Sequence, residues 1–350
     1  MSLPSPTLAH LRRMTDDTGV FEHAVGSVPN RHHGYCTDDN GRALALMSRM
    51  SGDAEAGRIA DVSLAFLQHA FEDGRFRLRL AYDRRWTEHP PSDDADGRAL
   101  FGLGVAAARG PDHLRWTARE LFEEAGGRRS EHARATAYAA LGAVEVLAAH
   151  GASAVARSLV TEALATLPRP VEADWSWPAP RLTYANAILP EALIAAGAAA
   201  GDDGAVEDGL RMLGWLVRIE ALGDRFSFAP TGGWAPGEPR PGFDQQPIEA
   251  AATADACARA FDVTGDAAWL DPLARAAWWF LGLNDAEVPL LDPVTGGVAD
   301  GLEPAGVSRN QGAESVLAGV AALQQAQRLL PAALLEAPPQ TRAAASASSS

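Results

Sequence analysis

The sequence predicts an all-α chain of twelve helices closed into an (α/α)6 toroid. Three observations carry that expectation. Ala- and Leu-rich segments with a helical period recur along nearly the whole chain, while strand signals are confined to short stretches near 75–81 and 225–229. The helical segments alternate between a small, apolar type and a more charged, amphipathic type. A helix apolar all round is buried and one with a polar face is exposed, so the first type forms an inner ring and the second an outer one. Finally, two apolar segments begin almost alike, as TDDNGRALAL and SDDADGRALF, which reads as two equivalent staves.

The elements follow in order. A first helix over 6–15 is expected to pair with the last and close the ring. Inner helices are expected at 39–51 (GRALALMSRM), 94–109 (GRALFGLGVAAA), 130–149 (RATAYAALGAVEVLAA), 183–200 (NAILPEALIAAGAAA), 246–263 (IEAAATADACARAF) and 310–329 (AESVLAGVAALQQA). Outer helices are expected at 55–72, 112–125 (HLRWTARELFEEA), 152–166, 204–221 (AVEDGLRMLGWLVRI) and 267–283. One domain spans 1–335. The tail at 336–350 is low in complexity and expected to be disordered.

Composition narrows the function. The chain has 350 residues and a formal net charge of −15, so it repels a phosphate backbone and nucleic-acid binding is not expected. All 30 basic residues are arginine, which excludes Schiff-base lysines, P-loop lysines and Ser-x-x-Lys nucleophiles. Two cysteines, Cys36 and Cys257, give no disulfide framework. The N-terminal stretch lacks the apolar core of a signal peptide, and no apolar run is long enough to span a membrane. A soluble, cytoplasmic protein without membrane contact is expected.

Polar clusters precede every inner helix: YCTDDN, PPSDDAD, RRSEHA, APRLTYAN, FDQQPIE and SRNQGAE. In a toroid the inner helices run parallel, so these clusters converge at one mouth of the barrel. Capping is the plain alternative, since Asp, Ser and Asn favour N-caps and acids suit a first turn. Paired Asp residues exceed what a cap requires, and Asn186, expected inside a helix, has no capping role. Glycoside hydrolysis uses two facing carboxyl groups. Asp39 and Asp94 are the central candidates, with Glu249 and Glu314 next. Arg31, His33, Tyr184, Asn186, Gln245, Gln246, Asn310 and Gln311 are expected to bind sugar hydroxyls, with Asp38, Asp96 and Asp244 beside them. Aromatic faces suit the C–H face of a pyranose, and Tyr35, Trp86, Trp177 and Trp234 lie in loops leading to inner helices. Arg42 and Arg98, at equivalent positions, are expected to pair the acids. The stretch from Asp292 reads as a turn before Asp300; its acids are within reach of the mouth, but such loop acids usually cap and turn. His32, His33 and Cys36 lack a second group at ligand spacing, so no metal or cofactor is expected. The acidic run at Asp93 to Asp96 has a counterpart in terpene cyclases, but the loop Trp and Gln residues suit a sugar better.

The strings HGYCTDDNGRAL, RLTYANAILPEALIAAG, FDQQPIEA and DPVTGGVADGLEPAGVSRNQGAES resemble the six-hairpin glycosidase-like proteins found beside, or fused to, bacterial family-4-type glycosyltransferases. The resemblance runs over about 31–329. It implies an (α/α)6 fold and an oligosaccharide ligand of manno or gluco type, the chain acting alone or with a separate glycosyltransferase as a partner. The expected function is a glycoside hydrolase, or a phosphorylase of similar geometry. The alternatives are a non-catalytic glycan-binding module and a sugar epimerase or isomerase. The last commonly moves protons with histidine, and all nine histidines here lie at or before His150.

Overall fold

The computed structural model describes residues 2–50 and 52–339. Most of the tail expected to be disordered lies outside the described residues. The fold is the expected (α/α)6 toroid. Six inner helices form the barrel: α2 (Thr37–Ser48), α4 (Asp93–Arg109), α6 (Ala133–His150), α8 (Ile188–Ala200), α10 (Pro247–Thr264) and α12 (Ala313–Leu329). Each packs against the next, and α12 packs against α2 to close the ring. The outer layer comprises α3 (Ala54–Ala70), α5 (Asp112–Ala125), α7 (Ala154–Thr166), α9 (Asp203–Glu220) and α11 (Leu270–Trp279). Two short helices, α1 (Ala9–Arg13) and α13 (Ala332–Glu336), pack on α12 and α11 respectively. The described residues thus hold thirteen α-helices rather than twelve, α13 being the one the sequence did not announce.

The amphipathic helices bury one stripe each. On α5, Leu114, Ala118, Leu121, Phe122 and Ala125 are buried, while Trp116 points outward. The inner helices are buried nearly all round, as on α6 and α12. Glycine sets how closely they approach. A Cβ on Gly41 would stand 2.7 Å from the carbonyl oxygen of Arg98, and one on Gly97 would stand 2.6 Å from that of Ala135. The repeated Gly-Arg-Ala-Leu start therefore lets α2, α4 and α6 touch backbone to backbone.

Among the described residues, strand is confined to five two-stranded ladders in loops, apart from isolated bridges. The stretch expected at 75–81 supplies two of them. Arg75–Phe76 pairs with Phe71–Glu72, and Arg79–Leu80 pairs with Tyr35–Cys36 at the start of α2. Helix α8 begins later than the pattern suggests. Glu249 draws the amides of Ala185 and Asn186 toward itself, and Ala185 takes a positive φ of 44°, so a tight turn precedes the helix. Asn186 is part of that turn rather than mid-helix, which corrects the sequence reading. Helix α12 starts at Ala313, after Gly312 in extended backbone whose amide donates to Asp300.

Candidate active site

The N-termini of the inner helices meet at one mouth, and capping does not consume their acids. Helices α2, α6, α8, α10 and α12 have no side-chain cap, and on α4 the cap is Ser92, which accepts from the Ala95 amide. Between the N-termini lies a cavity of about 430 Å³, within the usual range for small-ligand sites. Asp38, Asp39 and Arg42 of α2 line it, with Asp94 and Arg98 of α4, Gln246 ahead of α10, and Glu314 of α12.

Two arginines organise these acids. Arg42 donates to Asp39 at 2.6 Å and to Glu314 at 2.5 Å, bridging the first and last inner helices. Arg98 donates to Asp38 at 2.5 Å and lies 3.7 Å from Asp94. This is the pairing role expected of both. The two adjacent aspartates end in different states. Burial would raise Asp38, but the Arg98 and Arg42 guanidiniums outweigh it and hold it below its ordinary value. Burial also raises Asp39, and although Arg42 opposes this, the Glu314, Asp38 and Glu22 charges add to it; its carboxyl is pushed up to about 7. Asp94 accepts a hydrogen bond from the Tyr184 hydroxyl, which reaches across from the turn before α8. Burial and the Asp94 carboxylate push the Tyr184 phenol upward, so it stays a donor.

The other sequence candidates lie elsewhere. Glu249 is buried and spends both oxygens on the Ala185 and Asn186 amides and the Asn186 side chain. Burial raises its carboxyl to about 7. It holds the turn that carries Tyr184 and is not among the residues lining the mouth. Asn186 is buried in the same turn. Tyr35 is fully buried, stacked on Phe21 and donating to Asp16. Gln245 is buried, accepting from the Phe228 amide and donating to Asp285. Asp96 accepts from Arg75 and the Phe76 amide, clipping a loop to α4. Trp177 is buried against Trp215, and Trp234 meets Trp175 edge-on under Arg240, so these rings anchor loops. Trp86 lines a groove of about 500 Å³ that shares Leu78 with the mouth. Arg31 is exposed over the Tyr82 ring, and His33 meets His23 edge-on at the rim. Asn310 accepts from the Gly26 amide, the carbonyl of Gln311 pairs with His10, and Asp244 is exposed after a cis peptide bond. His32 stands beside His33 at the surface, whereas Cys36 is buried and donates to Asp38.

The mouth also holds residues outside the candidate set. Arg79 grips Glu22 with two hydrogen bonds of 2.6 and 2.9 Å, and His23 and Asp300 complete the lining. Glu22 and His23 come from the loop between α1 and α2. Their loop is held there by the Glu22 amide donating to Gly34, by the Ala313 amide donating to the Glu22 carbonyl, and by Arg79, whose strand pairs with the start of α2.

Comparisons with known proteins give the same architecture. No protein-family model and no curated protein matches the chain by sequence. Among solved structures, a sugar epimerase from a ruminal bacterium is similar over 94% of this chain and 97% of its own, with a TM-score of 0.71 and 13% identity. A cellobiose 2-epimerase from Bacillus thermoamylovorans is similar over 93% and 96%, with a TM-score of 0.72 and 10% identity. A family GH76 α-mannanase from Bacteroides thetaiotaomicron is similar over 92% and 93%, with a TM-score of 0.62 and 11% identity. At such identities the likeness establishes the fold: the chain is an (α/α)6 toroid of the kind these sugar-processing enzymes share.

Proposed function

We propose that the protein is a glycoside hydrolase acting on a manno- or gluco-oligosaccharide at the mouth of the toroid. The observation that carries this reading is the cavity in which Asp39, protonated up to about pH 7, shares the walls with Asp94, which accepts from the Tyr184 hydroxyl and stands 3.7 Å from Arg98. Asp39 donates its proton to the glycosidic oxygen as the bond to the anomeric carbon breaks. Asp94 takes a proton from the water that attacks that carbon, the division of roles found in inverting enzymes. Tyr184 orients Asp94, and Arg42 fixes Asp39 and Glu314. The groove beside Trp86 extends the cavity and suits further sugar units.

A second reading has its own support. Asp38, Asp39 and Glu314 are each paired with arginine, as in a site that binds a glycan and presents it to a separate glycosyltransferase. For an epimerase, His23 is the one imidazole among the described residues lining the mouth. The deciding experiment incubates the full chain with α- and β-linked manno- and gluco-oligosaccharides, with and without phosphate, and follows products by chromatography. Released sugar independent of phosphate supports the hydrolase, and phosphate dependence assigns a phosphorylase. An epimerised product assigns the isomerase chemistry. Binding without any product moves the assignment to glycan presentation.

A further inference from the structure

At the opposite end of the toroid lies a second polar cavity of about 410 Å³. It is separated from the mouth by a narrow apolar waist whose lining includes Leu46, Phe101, Ile248 and Leu317. The waist touches the mouth at Arg42 and Glu314, and the lower cavity at Glu191 and Asp255. The mouth chemistry uses none of the lower residues.

Part of the lower lining is spent on itself. Arg109 chelates Glu145 at 2.8 and 3.2 Å, and Arg328 chelates Asp262 at 2.8 and 2.9 Å. The rest retains unused capacity. Glu191 is only 4% exposed, yet no described residue donates a hydrogen bond to it. Arg259 reaches Glu145 at a long 3.4 Å and leaves its buried Nε unpaired. Arg49 reaches Asp255 only at 3.5 Å, on an oxygen that already accepts from Gln325 at 2.5 Å, so the other Asp255 oxygen is left over, and the buried Oε1 of Gln324 has no partner. Groups buried without partners are costly, so this cavity is built to be completed by something else.

The character of that something follows from the donors and acceptors. Burial and the Asp255 charge raise the Glu191 carboxyl well above its ordinary value, so it both donates and accepts. Arg49 and Arg259 donate; Asp255 and Gln324 accept. Arginines and carboxylates share the wall, so a compact anion meets Asp255 and Glu145 as well as the guanidiniums. Hydroxyl groups, which donate and accept at once, match such a mixed wall. We propose that this lower cavity binds a neutral polyhydroxylated molecule of monosaccharide size, separately from the mouth.

Hydrogen–deuterium exchange on the full chain tests this, with D-mannose, D-glucose, myo-inositol and inorganic phosphate as probes. At least one of the three polyols is expected to protect the second half of α10 and the last turns of α12. Glu191→Gln and Arg259→Gln are expected to weaken that protection about tenfold or more in apparent Kd, with exchange at 92–98 and any turnover unchanged. Gln is isosteric with the neutral Glu191, and Arg259→Gln gives a second variant should the first misfold. No protection of these segments by any polyol overturns the proposal. So does protection by phosphate alone, or protection that survives both variants. The mouth is read from separate segments, so failure there leaves this result independent.

Discussion

Asp39 and Asp94 divide the work of the mouth through their neighbours. Asp39 sits among other carboxylates and is buried, so its proton is held to about pH 7. As a general acid it works only while protonated, so turnover is expected to fall as pH rises through about 7, read from a pH profile of kcat. Asp94→Asn is expected to cut turnover by about 10²–10⁴-fold with the circular dichroism spectrum unchanged. Survival of activity makes Asp94 a binding group. The sequence showed these acids because they directly precede apolar helices, and Glu314 was found by the same signal. It also pointed to Glu249, which the fold turns toward the Tyr184 turn instead. One residue along a helix rotates a side chain by about 100°, and the sequence pattern alone does not assign which acid faces the axis. Glu22 and His23 gave no signal, because loop backbone contacts to Gly34 and to the start of α12 deliver them.

The inner helices show what the repeated Gly-Arg-Ala-Leu start accomplishes. Its arginine reaches the acids, and its glycine lets the neighbouring backbone come close. Gly41→Ala places a Cβ 2.7 Å from a backbone carbonyl that the rigid α4 cannot withdraw. The substitution is expected to cost about 1–3 kcal/mol, measured as a lower denaturation midpoint. Alanine here is worse than glycine despite its better helix propensity. The motif was legible as a helix start, but its packing reason was not, since the contact partner is 57 positions away in Arg98. Boundaries were misjudged where a turn competes with the helix. Before α8, Glu249 of the neighbouring α10 accepts hydrogen bonds from the turn, an influence from 63 positions away in sequence that local periodicity does not register.

For the whole molecule, buried carboxyls shape the response to pH. Asp39 and Glu249 are raised to about 7, and Glu220, buried and near Glu249, to about 8. Each keeps its proton in the folded state where the unfolded chain has lost it. Their contribution is therefore full below the unfolded values near 4 and is lost as pH rises through 7 to 8. The opposite holds for Asp38 and Glu145, which burial alone would raise but adjacent guanidiniums lower; their contribution is lost on acidification below about 4. The thermal midpoint is expected to peak between about pH 4.5 and 6 and to decline toward pH 9, as read by calorimetry. A flat profile across that window contradicts the assignment. The ring itself was legible, because alternating helix character survives any error in boundaries. The lower cavity was not: apart from Glu191, its charges sit at middle and late positions of the helices, where sequence reads them as ordinary solvated faces.

The bridge from Arg42 to Glu314 joins residues 272 positions apart. Such a contact cannot exist on a growing polypeptide until its last inner stave has left the ribosome. Most of the barrel can assemble earlier, since each stave leans on the one before it. The mouth is then a wall with a missing panel, holding Asp39 and Arg42 without their counterpart. Competence thus arrives late and all together, and a fragment ending before Ala313 would carry nearly every helix and no finished pocket.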